Sequence, residues 1–129
     1  DPFAKQKHAK ELALFLTKEL NSIKNVALMA DDREDFALML YYVRDFKGKR
    51  AKWNGDIKID DHFELTTDTN NLAGYNILLL TRTAPTEEMI KRSTSHRLIK
   101  ELSFFNRKKI QRYNLYLLMN WKKANDSTK

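Results

Sequence analysis

The chain has 129 residues, no cysteine, three glycines, two prolines and a net charge of +7, with 42% hydrophobic and 32% charged residues. That length suits one domain with a sizeable core. The composition excludes disulfides, thiolate nucleophiles, cysteine-ligated metals and a collagen-like or low-complexity chain.

The charge is uneven. Residues 1–81 hold 12 Lys/Arg and 13 Asp/Glu, a balance of −1, whereas residues 82–129 hold 12 against 4, a balance of +8. A basic C-terminal third suits a polyanionic surface as readily as plain solvation. No apolar run approaches the ~20 residues needed to span a bilayer, and no signal peptide is visible. The first residue is not Met, so a mature form or an excised piece of a longer protein is expected.

Along the chain, residues 4–22 read as a helix. Leu12, Phe15, Leu16, Leu20 and Ile23 recur at spacings of three and four. Asn25 to Ala30 is a short, continuously apolar run, as in a buried parallel strand. It ends in Asp31-Asp32-Arg33-Glu34-Asp35, where Asp32 or Asp31 caps a second helix and Asp32 with Asp35 resembles a capping box. Phe36, Met39, Leu40 and Val43 form that helix's inner face, and Lys47-Gly48-Lys49 is expected to end it. Lys52-Trp53-Asn54 suggests a short strand.

Residues 55–73 are polar and turn-rich around Asp61-His62-Phe63-Glu64-Leu65; a loop this long is often functional. Tyr75 to Thr81 is the clearest strand. Pro85-Thr86-Glu87-Glu88 opens a short helix to Ser95. Arg97–Phe105 and Gln111–Met119 then form two strands. The order predicts one α/β domain over residues 1–123, a three-layer sandwich with a mostly parallel sheet and a C-terminal antiparallel hairpin. Residues 124–129 read as a tail.

In an open parallel sheet, ligands bind beyond the carboxyl ends of the strands. Asp32 and Arg33 follow the first strand, Arg82 follows the third, and Trp53, His62 and Glu64 are expected on the same rim. Together these six form a candidate substrate-binding set, with Trp as a stacking surface for a sugar ring and the polar groups bonding its hydroxyls. The bland alternative has Asp32 as a cap, Arg33 paired with neighbouring acids and Trp53 in the core. His62 and Glu64 offer a base and an acid only if they meet in space. No phosphate-binding glycine loop, nucleophile elbow or His-x-x-x-His spacing occurs, so nucleotide-driven, serine-hydrolase and zinc chemistry are disfavoured; no metal or cofactor is expected. Arg107, Lys108, Lys109 and Arg112, with Phe104, Phe105, Tyr113 and Tyr116, could track a nucleic acid strand, although a solvated hairpin turn with core aromatics explains them as well.

The stretches "DDREDFALMLYYVRD", "KWNGDIKIDDHFELT" and "GYNILLLTRT" resemble the C-terminal soluble domain of bacterial membrane glycosyltransferases. These are similar to the dolichyl-phosphate-mannose protein mannosyltransferases and the lipid A aminoarabinose transferases. The opening "DPFAKQKHAKELA" resembles the link from the last membrane helix, though "KHAKEL" departs from the Gly-Trp-Arg-Glu-Leu of such relatives; "RYNLYLLMNW" resembles their last strand. The resemblance implies an extracytoplasmic, periplasmic-side domain joined to a membrane part of the same protein. The catalytic acid of that family lies in the membrane part, so no catalytic residue carries over to this chain. Sugar transfer from a polyprenyl-phosphate carrier would then be the parent's reaction. This domain would meet a glycan or lipid-linked sugar acceptor, or an anionic membrane surface, without performing chemistry. The alternative from a different class is a free-standing basic module that binds nucleic acid or an anionic glycan, with nucleic acid the less favoured partner.

Overall fold

The computed structural model describes residues 2–43, 45–53, 69–106 and 109–124, with side chains from residue 8 onward except those of residues 69, 70 and 106. The elements are α1 (Pro2–Ser22), β1 (Val26–Ala30), α2 (Arg33–Tyr42), β2 (Arg50–Lys52), a 3-10 turn (Thr69–Leu72), β3 (Asn76–Thr81), α3 (Glu87–Lys91), β4 (Ser95–Asn106) and β5 (Lys109–Met119). They build a mixed α/β fold around one five-stranded sheet of order β2-β1-β3-β5-β4. β1 pairs in parallel with β2 and β3, while β5 runs antiparallel between β3 and β4. Four strands therefore share one direction and β5 alone is reversed.

The two apolar runs of the sequence form the centre of the sheet, where every residue of β1 and all but the first of β3 are buried. Alternation divides their side chains between two clusters. Leu28, Ala30, Leu78, Leu80 and Leu115 face Leu12, Leu16, Phe36 and Met39 of α1 and α2. Ala27, Met29, Ile77, Leu79 and Leu118 face Leu72, Met89 and Trp121. The apolar stripe of α1 is buried as the spacing predicts: Leu12 and Leu16 are fully enclosed and Leu20 nearly so.

The second helix ends earlier than the sequence suggests. Val43 already leaves helical geometry (φ −110°, ψ 43°), so Lys47-Gly48-Lys49 is not the terminus. The cause lies in β2. The Arg50 guanidinium donates to the carbonyls of Met39 (2.8 Å), Val43 and Phe46 (2.9 Å). One cation thus satisfies acceptors that a helix end leaves open, and it complements the helix dipole. The second strand also begins earlier, at Arg50. Trp53 follows it, donating its backbone N–H to the Ala30 carbonyl (2.7 Å), and Asn54 lies outside the described residues.

The C-terminal hairpin extends past the other strands. Thr81, the last residue of β3, pairs with Asn114. Lys109–Tyr113 of β5, with Leu102–Asn106 of β4, therefore projects beyond the carboxyl edge of the parallel strands. The His8 ring stacks on Phe104 with centroids 5.0 Å apart, which sets the first half of α1 against this projection. A register irregularity between Leu98 and Lys100, with exposed Arg97, Lys100 and Glu101, guards β4's outer edge against strand addition.

Replacing Arg50 with Leu is expected to lower stability by about 2 kcal/mol, because three partly buried carbonyls lose their donor. Urea unfolding of the two proteins checks this, and an unchanged midpoint would show that the α2 terminus needs no such partner.

Candidate functional site

The carboxyl edge gathers the charged residues. Asp32 has extended backbone (φ −113°, ψ 136°), and its Oδ1 accepts from the backbone N–H groups of Glu34 (2.9 Å) and Asp35 (3.1 Å). It is the N-cap of α2, as the sequence predicts. The reciprocal half of a capping box is absent, because the Asp35 carboxylate turns away. One position before Phe36 on the inward side of α2, Asp35 is only 1% exposed. It receives both arms of Arg82: Nε to Oδ2 at 3.1 Å and Nη2 to Oδ1 at 2.9 Å. Nη2 also lies 3.7 Å from Asp32 and 3.8 Å from Glu34. The guanidinium stands 5.6 Å from the centroid of the Tyr113 ring, within cation–π reach.

Asp31, half-buried, accepts from the Thr81 hydroxyl (2.7 Å), which joins the ends of β1 and β3. Desolvation pushes the Asp31 carboxyl above its ordinary 3.8, against the lowering effect of Thr81's donation. Burial likewise raises Asp35, opposed by its bonds to Arg82, while those bonds hold Arg82 still more firmly protonated. Tyr113 is raised chiefly by burial, then by the nearby Asp35 charge.

Of the six residues expected on the rim, the structure brings Asp32 and Arg82 together. Arg33 opens α2, is exposed, and makes no ion pair among the described residues. Trp53 lies on the other face of the sheet. Its ring meets Trp121 edge-on at 5.9 Å, and the buried Arg92 guanidinium stands 5.8 Å from Trp53 and 4.5 Å from Trp121. It therefore does not face Arg82. His62 and Glu64 lie outside the described residues.

Sequence reading missed Asp35 as the anchor of Arg82. The available signal was an acid next to Phe36 and one turn before Met39, on the helix's inner side. It also missed a cavity of about 300 Å³ beside the ion pair, between α1, α2 and the projecting part of β5. His8, Leu12, Leu38, Tyr42, Gln111 and Tyr113 line it, and Glu34, Asp35 and Arg82 form its charged wall. Among the described residues no cluster of His, Asp and Glu has the makings of a metal centre.

No known protein family matches this chain, and neither a curated protein nor a solved structure does. The buried carboxylate is committed to Arg82, Asp32 to the helix cap and Asp31 to Thr81. A general base needs a free carboxylate within reach of a substrate proton; of these acids only Glu34, largely exposed, retains that freedom.

The raised pKa of Asp31 fixes a sign. The folded chain keeps this proton at pH values where the unfolded chain has released it. The stability contributed is fully present below 3.8 and is lost as pH rises through the raised value. Asp31→Asn, which still accepts from Thr81, is expected to flatten that part of the stability curve in urea titrations between about pH 3 and about pH 7. Superimposable curves for the two proteins would contradict it.

Proposed function

We propose that this chain is a non-catalytic α/β domain of a polyprenyl-phosphate-dependent membrane glycosyltransferase. It stands on the periplasmic side of a bacterial inner membrane, next to the membrane-spanning part of the same protein, and serves acceptor binding or stabilisation. The motif resemblance motivates the parentage. Apolar clusters on both sheet faces support the three-layer description of its fold, and the committed carboxylates of the carboxyl edge support a role without turnover.

The observation that carries the membrane side is the hairpin tip. Phe105 and Ile110 are direct cross-strand partners, 71% and 53% exposed, at the far end of the projection. Exposed Arg112 follows on the same face and exposed Lys109 on the other. Between Ser95 and Met119 the sequence holds six Lys/Arg and one acid. Exposed apolar side chains beside the cations Lys109 and Arg112 suit an interface with anionic headgroups, each nearby Lys or Arg contributing about 1 kcal/mol. The same end of the molecule carries the start of α1, where the resemblance joins the domain to its membrane part. No described helix is itself long and apolar enough to cross a membrane.

The basic hairpin also supports the second reading, a module for nucleic acid or an anionic glycan. Nucleic acid ranks behind the membrane because Phe104 and Tyr113, two of its aromatics, are buried rather than offered to bases.

Sedimentation with vesicles tests the proposal. Phosphatidylcholine vesicles containing phosphatidylglycerol are expected to carry the protein down in a salt-sensitive manner, and Phe105→Ser with Ile110→Ser to reduce this severalfold. Absence of association with such vesicles, alongside salt-sensitive retardation of single-stranded DNA, would favour the second reading. Parentage is tested by the coding sequence upstream of Asp1, which should continue into several hydrophobic helices; a start codon directly before it would contradict the proposal.

A further inference from the structure

The cavity beside the Asp35–Arg82 pair contains more hydrogen-bonding capacity than the fold uses. His8 Nδ1 is buried and has no hydrogen-bond partner among the described residues. Its ring is fixed by the stack on Phe104, so it cannot swing out to solvent without losing that contact. A buried polar atom left unsatisfied is destabilising, and a bound hydroxyl would relieve that. Arg82 spends Nε and Nη2 on Asp35, and no described residue takes its Nη1. The Gln111 amide and the Tyr113 hydroxyl likewise bond to no described residue, and both line the cavity.

Apart from the charged wall of Glu34, Asp35 and Arg82, the remaining lining is mostly apolar or aromatic: Leu12 and Leu38 from the helices, with Tyr42 and the Tyr113 ring. A small, mostly apolar pocket with a few convergent polar groups is the usual form of a ligand site, and about 300 Å³ suits one six-membered ring with its substituents. Charge narrows the class. Glu34 and Asp35 outnumber Arg82 at the wall, so phosphate and carboxylate ligands are repelled. Arg82 already occupies the position a ligand cation would take against Asp35. Hydroxyls both donate and accept, which matches the mixture of imidazole, amide, phenol and guanidinium. A ring with one C–H face matches the aromatic and aliphatic walls.

We infer that this cavity binds an uncharged, hydroxyl-rich ring of monosaccharide size, held by His8, Arg82, Gln111 and Tyr113. This rests on and deepens the acceptor-binding part of the proposed function, and it adds recognition residues on α1 and β5 to Arg82 of the sequence-predicted rim. The ring would dock beside the projecting hairpin, at the same end of the molecule as Phe105 and Ile110.

The test is a titration of the whole chain, followed by amide and imidazole NMR signals, with methyl mannoside and methyl glucoside. Inorganic phosphate and tetramethylammonium are run as separate arms. Saturable shifts at His8, Leu38, Gln111 and Tyr113 with a glycoside, and none there with either ion, are expected. Gln111→Leu should weaken binding at least fivefold, whereas Leu98→Ser, on the opposite sheet face, should leave it unchanged. No saturable shift with either glycoside, saturation by phosphate or tetramethylammonium at the same signals, or equal weakening by both variants would overturn the inference. Vesicle association is read on the same protein. Failure of glycoside binding with vesicle binding intact therefore removes this inference alone.

Discussion

A two-armed ion pair between Arg82 and an enclosed aspartate organises the carboxyl edge of the parallel strands. Asp35 is carried by α2 and Arg82 follows β3, so the pair fixes the first turn of a helix to the end of a strand. Arg82 also reaches Tyr113 on β5, and through it the projecting hairpin. Three elements thus meet at one guanidinium. Such a pair contributes less to net stability than its geometry suggests, because both charges lose water. Leaving one partner alone is far more costly, so the pair acts as a constraint on arrangement. Arg82's side chain remains 36% exposed, which moderates that cost relative to a fully buried pair.

The same constraint explains why the acidic cluster of the sequence reads so differently in the fold. Five charged residues in a row suggest chemistry. In the structure the first accepts from Thr81, the second caps a helix, and the fifth anchors Arg82, with only Arg33 and Glu34 left largely to solvent. The clustering comes from a strand end followed at once by a helix start, a junction that needs a cap and favours negative charge near the helix N-terminus. The unspent hydrogen-bonding capacity lies one layer away, in the cavity walls supplied by α1 and β5.

Much of the framework was legible in the chain. Two continuously apolar runs gave the parallel centre, the three- and four-residue spacing gave α1, and Asp32 before an apolar-periodic segment gave the start of α2. The end of α2 was not legible, because the group that satisfies its carbonyls is Arg50, which arrives from the next strand. Trp53 looked like a rim residue because it follows a strand end; its side matters more, and alternation turns it toward Trp121. The Asp35–Arg82 contact joins residues 47 apart, with no local pattern to announce it. His8 was lost for a related reason: it continues the Leu12–Leu16 side of α1, but its partner Phe104 comes from the distant hairpin.

The most direct measurement is a double-mutant cycle on the pair, using Asp35→Asn, Arg82→Gln and the combination, with stability read by urea unfolding and the cavity read by the His8 imidazole signal. A structural keystone predicts a coupling energy of roughly 2 kcal/mol or more and a displaced His8 signal in both single variants. Strictly additive losses with an undisturbed His8 would mean that the pair is incidental and that the carboxyl edge is organised by something else.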